Sequence, residues 1–131
     1  MTEHPNVALV KRLFDAFATY DIPGIIGAIP ERAVWTFPGT RSQLAGRHRG
    51  REAIVKFLTK VMVLSSGTFS LELHDIMASD EGVVALFTGT AKRGGKKLNN
   101  PTALHVNILN GQIVEFREYV WDLEHVEDFW A

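Results

Sequence analysis

Cysteine is absent from the 131 residues. Its absence excludes disulfides, thiolate nucleophiles, iron–sulfur ligation and thiolate-rich zinc sites. No run approaches the roughly 18 consecutive apolar residues that a membrane span requires. Neither charge sign dominates: 14 Lys+Arg stand against 15 Asp+Glu, a formal net charge of −1. No global pull towards nucleic acid or anionic membranes follows, and neither is expected as a partner. The opening "MTEHPN" lacks a basic n-region and runs straight into an amphipathic pattern, so a cytoplasmic chain without a secretory leader is expected. There is no Gly-x-Ser-x-Gly elbow and no His-Glu-x-x-His, and the five histidines show no i,i+4 pairing. "RGGKKL" fails the spacing of a phosphate loop. No metal and no cofactor are therefore expected.

What remains is an ordinary globular composition, 46% hydrophobic and 22% charged. Such a length suits one domain spanning 1–131, with a core that needs no staples. Val7, Val10, Leu13, Phe14 and Phe17 recur at helical steps, which predicts a helix over 6–19 with Asn6 as its N-cap. Asp21-Ile22-Pro23 reads as a second helix start. Val34–Phe37 is a short strand stopped by Pro38-Gly39, and residues 40–50 are a polar, glycine-punctuated stretch. Ile54, Phe57, Leu58, Val61 and Met62 place a third helix over 51–64. From Gly67 the period becomes two: strands are predicted over 68–78, 82–92, 98–109 and 112–121, the last pair joined by the hairpin signal Asn110-Gly111. A short acidic tail follows. Helices first and long antiparallel strands after give an α+β layout: a curled, mostly antiparallel sheet with three N-terminal helices on its concave face. Such a cone tends to hold a small-molecule pocket.

Several stretches resemble the SnoaL-like group of the nuclear transport factor 2-like superfamily, a cystatin-like α+β cone. They are "LFDAF", "DIPG", "VWTFPG", "LAG" followed by "RGREAI", the hairpin "NGQIVEFREY" and the terminal "WD…FW". The resemblance implies a homodimer and a pocket protein related in fold to ketosteroid isomerases and polyketide cyclases. The isomerases' general-base position falls on Phe37 and their helix tyrosine on Leu13, both apolar, which argues against isomerisation of that type. The epoxide hydrolases' arginine and aspartate are missing from "VVALF". Two polar positions survive. An isomerase acid, or the cyclases' histidine, aligns with His105. The cyclases' last-strand aspartate has its counterpart in Glu118.

Residue alternation gives a reading without the family. A two-residue turn at Asn110-Gly111 pairs Leu109 with Gln112 and His105 with Phe116, leaving Glu118 diagonal to His105 on one face. A one-residue slip would send either side chain to the other face. Glu118 among Phe116 and Val120 is either a half-buried acid–base group or a sheet-surface glutamate paired with an arginine. His105 is either in the pocket or a surface or hydrogen-bonded histidine. Trp35, Phe37, Phe116 and Val120 are the candidate substrate-binding wall, although Trp35 or Phe37 taken alone reads first as plain core. His48 reads as a loop residue near the cone mouth. The basic loop residues, Arg41 among them, read either as solvated loops or as partners of the acidic tail. Tyr119 and Trp121, on the outer sheet face, suggest a second copy as burial partner. Two functions follow: a cofactor-free acid–base enzyme of isomerase, cyclase, dehydratase or hydrolase type, with Glu118 and His105 catalytic on a small hydrophobic substrate, or a non-catalytic binder of such a molecule.

Overall fold

The computed structural model describes residues 3–131. Its elements run α1 (Pro5–Ala18), α2 (Ile22–Ala28), β1 (Val34–Phe37), β2 (Gly46–Arg49), α3 (Arg51–Leu64), β3 (Ser70–Ser79), β4 (Gly82–Arg93), β5 (Lys96–Leu109), β6 (Gln112–Val120) and α4 (Leu123–Trp130). The six strands form one open, mixed sheet in the order β2-β1-β6-β5-β4-β3. Neighbours are antiparallel except β1 and β6, which run parallel. This is the α+β architecture expected, with a fourth helix and an additional edge strand. Among the described residues no helix is long and apolar enough to cross a membrane.

Local chemistry sets the helix starts. Pro5 occupies the first helical turn of α1, where its missing N–H is no loss. The cap is therefore His4, whose Nδ1 accepts from the Asn6 N–H at 3.1 Å, and not Asn6 as expected. Asn6 instead turns inward and donates from Nδ2 to the Ser79 carbonyl at 2.9 Å, fastening α1 to the end of β3. Asp21 caps α2 by accepting from the Gly24 N–H at 3.1 Å. The stripe Val10, Leu13, Phe14 and Phe17 of α1 and Ile54, Phe57, Leu58 and Val61 of α3 are buried against the sheet. They join Leu104, Val106, Phe116 and Phe129 in one apolar core.

The polar stretch "GRHR" is the missed strand β2, an edge strand whose residues are mostly exposed and so carry no apolar alternation. The decisive departure lies between β5 and β6. Ile108 pairs with Ile113 but Asn107 pairs with Glu115, so Val114 is an extra residue. This β-bulge shifts the register by one and reverses the faces beyond it. His105 therefore pairs with Arg117 and not Phe116, and Leu104 stands opposite Glu118.

The C-terminal helix is tied down by a carboxylate. Asp122 caps α4 by accepting from the His125 N–H at 3.1 Å. Glu127, buried, accepts from the backbone N–H groups of Thr40 at 2.8 Å, Arg41 at 2.9 Å and Ser42 at 3.3 Å. The Arg41 Nε lies 3.2 Å from its other oxygen, an ion pair half open to solvent on the arginine side. The Arg41 N–H above all, joined by those of Ser42 and Thr40, holds the Glu127 carboxyl below the usual carboxylate range against the opposing effect of burial. At the other end Arg93 donates to the Phe129 carbonyl and Lys96 to that of Asp128, cations suited to a helix C-terminus. The pairing of basic residues with the acidic tail is thus partly realised. Gly39 makes this latch possible: its φ is +100°, and a Cβ there would collide with the Glu127 carboxyl.

Gly39→Ala should therefore destabilise the fold by about 1–3 kcal/mol. Gly94→Ala, at φ +53° with open space around the position, should cost less. Thermal melting of the two variants compares them directly; equal shifts would discount the latch.

Candidate functional site

Between the sheet and the helices lies a cavity of about 70 Å³. Leu13, Phe14 and Phe17 of α1 and Phe57, Leu58 and Val61 of α3 form one side. Trp35 and Phe37 of β1, Phe87 of β4 and Leu104 of β5 form the sheet side. Trp130 of α4, in contact with Phe69 at a ring separation of 6.4 Å, closes one end. Among the described residues two polar side chains, Glu118 and Asn100, reach this apolar space. Drug-sized ligands occupy roughly 300–1,000 Å³. The cavity as it stands holds something much smaller, and a larger guest enters only if wall side chains swing aside.

Glu118 is 9% exposed and faces inward on β6. Its Oε2 accepts from the indole N–H of Trp35 at 2.8 Å. No basic side chain pairs with it among the described residues. Burial pushes its pKa up from 4.5 to about 7, and the Trp35 hydrogen bond, which favours the ionised form, opposes the rise. The parallel pairing of β1 and β6 sets Trp35 beside Phe116, the two rings stacking at 4.5 Å. That stack holds the indole edge towards the carboxyl two residues further along β6. Phe57 packs on Trp35 from the helix side and also stacks on His48, the register partner of Trp35 on β2, at 4.4 Å.

The sequence candidates divide accordingly. Glu118, Trp35 and Phe37 line the cavity. Phe116 is fully buried but lies behind Trp35 and does not line it. Val120 faces inward, half-buried, beyond the cavity wall. His105 is on the opposite face of the sheet, half-buried, between Val84 on β4 and Arg117 on β6. The expected His105–Glu118 contact does not form, because the bulge at Val114 breaks the register it assumed. His48 hydrogen-bonds the Leu44 carbonyl at 2.8 Å and faces a separate groove along α3.

Asn100 was missed. Alternation carried back from Leu104 through Thr102, and forward from Leu98, puts it on the inner face; all four are buried. The aromatic lid, Trp130, was missed because the tail was read by its charge. Among the described residues no group of three His, Asp or Glu side chains is placed to hold a metal ion.

The sequence profile of the SnoaL-like domain matches residues 10–116. An uncharacterised protein of Mycobacterium tuberculosis is 31% identical over 132 residues, spanning 100% of both chains. Among solved structures, Bal32a, from a soil-derived mobile gene cassette, superposes with a TM-score of 0.90 at 34% identity, covering 96% of each chain. A protein of unknown function with a cystatin-like fold from Xanthomonas campestris gives 0.89 at 28% identity, covering 98% of this chain and 99% of its own. The open sheet with its helix-covered inner face, the end-to-end sequence match and these superpositions agree. The chain belongs to the SnoaL-like domain family.

Proposed function

We propose that this protein is a cofactor-free acid–base enzyme acting on a small hydrophobic substrate, with Glu118 as its proton-transfer group. One observation carries the reading: a carboxyl buried in an aromatic and aliphatic cavity, held by one indole N–H and pushed up to about 7. A group titrating near the working pH is abundant in both forms, which is what proton transfer in both directions requires. As carboxylate, Glu118 takes a proton from a carbon or hydroxyl of the bound molecule. As acid it returns that proton to another atom, the balance needed by an isomerisation, cyclisation or dehydration. The Trp35 N–H steadies the ionised form, and the walls, Phe37 among them, exclude water. His105 takes no part, since the sheet separates it from the cavity.

A second reading, a non-catalytic binder of a small hydrophobic molecule, is favoured by the solitude of Glu118: among the described residues no other ionisable side chain lines the cavity. The expected homodimer remains part of the proposal. Tyr119 is 53% and Trp121 86% exposed, aromatic area consistent with burial by a second copy. Sedimentation at micromolar concentration should give a dimer; a monomer there would overturn the assembly.

Two further outcomes test the site. In a turnover assay Glu118→Gln should lose roughly 10²–10⁴ in rate, while His105→Ala retains full activity. Loss in His105→Ala and not in Glu118→Gln would sink the assignment. Stability gives a test without a substrate. A carboxyl with a raised folded pKa lends its full stability below 4.5, and that stability is lost as pH rises to about 7. The wild type should therefore weaken by about 3 kcal/mol between those limits from this group. Glu118→Gln, which cannot ionise, should lack that slope and be the more stable protein at pH 8. Urea denaturation across pH 4–8 measures it.

A further inference from the structure

Among the described residues that are buried and polar, Asn100 is the one whose side chain makes no hydrogen bond. It is 6% exposed, its side chain borders the cavity, and its Oδ1 is buried without a hydrogen-bond partner. The Thr102 hydroxyl bonds the Asn100 backbone carbonyl at 3.2 Å, which leaves the side-chain amide unserved. A buried acceptor without a partner is destabilising, and an apolar residue of similar shape removes that penalty. Asn100 also stands apart from Glu118. Leu104 is the register partner of Glu118, and Asn100 lies four residues back along β5 on the same face. Four residues are ~13 Å of strand. The other side chains lining the cavity are aromatic and aliphatic, so its two polar groups are set apart along the sheet within an apolar interior.

We propose that Asn100 is a second anchor for the ligand, which is an aromatic or otherwise apolar molecule carrying a polar group at each end. The group opposite Glu118 is a hydroxyl that donates to Asn100 Oδ1. This rests on the cavity reading above and adds to it the substrate class: doubly oxygenated, with an apolar middle. A singly oxygenated molecule would satisfy Glu118 and leave Asn100 unpaired. Asn100 thereby sets specificity, while proton transfer stays with Glu118.

Calorimetric titration with two pairs of probes tests this: phenol against hydroquinone, and 2-naphthol against 2,6-dihydroxynaphthalene. In the wild type the diol of at least one pair should bind roughly 2–10-fold more tightly than its mono-ol, the contribution of one hydrogen bond. Asn100→Leu should erase that preference and leave mono-ol affinity unchanged. It should also melt higher than the wild type, because an unpaired acceptor has been replaced by apolar volume. A diol preference absent from the wild type, or surviving in Asn100→Leu, would overturn the anchor while leaving Glu118 untouched. A lower melting temperature in Asn100→Leu would make Asn100 a structural residue and overturn it too. Failure of all four probes to bind the wild type would instead bring down the cavity reading itself.

Discussion

A carboxyl stays inside an apolar core only where something meets it, and in this protein that is the indole N–H of Trp35, 2.8 Å from Glu118. The contact crosses the parallel pair of β1 and β6, elements separated by most of the chain. It requires Trp35 to be stacked on Phe116 and pressed from the other side by Phe57. One neutral donor is less than an ionised carboxylate would find in water, so burial wins and the proton is held more tightly. A guanidinium in place of the indole would have the opposite effect, fixing the charge and closing the cavity to proton transfer. The choice of a weak, apolar-bodied donor is thus what separates a poised carboxyl from an ordinary buried ion pair.

The bulge at Val114 decides which residues share that environment. With regular pairing, Ile113 and Glu118 would face opposite sides; the extra residue turns both Ile113 and Phe116 inward and keeps Glu118 with them. Bulges bend and twist the strand that carries them. Here it falls two residues beyond the Asn110-Gly111 turn, where Asn110 already has φ +52°.

Much of the architecture was legible because it rests on local chemistry. The amphipathic stripes of α1 and α3, the Asp21 cap, and the turn at Asn110-Gly111 each declare themselves within a few residues. Glu118 was legible as an acid among apolar neighbours on its strand. The His105 partner was not, since a bulge leaves no mark in the alternation until both strands are paired. Strand β2 was illegible for a related reason: an edge strand with exposed residues has no apolar face to display. The role of α4 was hidden because Glu127 looks like tail charge, yet its ligands are backbone N–H groups, which no sequence pattern reveals.

These features act together on the cavity. The Glu127 latch holds α4, α4 holds Trp130, and Trp130 closes the end near Phe69. At the opposite wall Phe57 separates the cavity from the open groove where His48 and Leu44 meet. An apolar space of this size would gain stability by being filled, as cores elsewhere in the molecule are. It is instead kept open by rigid aromatics braced against strands, and it contains a carboxyl and an amide that both oppose folding where they stand. Local energetics run against the fold at these positions, and in proteins generally such conflicts concentrate at functional or strained sites. The stability forgone at Glu118 and Asn100 is what would be recovered if a guest met both groups, which is why the proposed ligand is sought there.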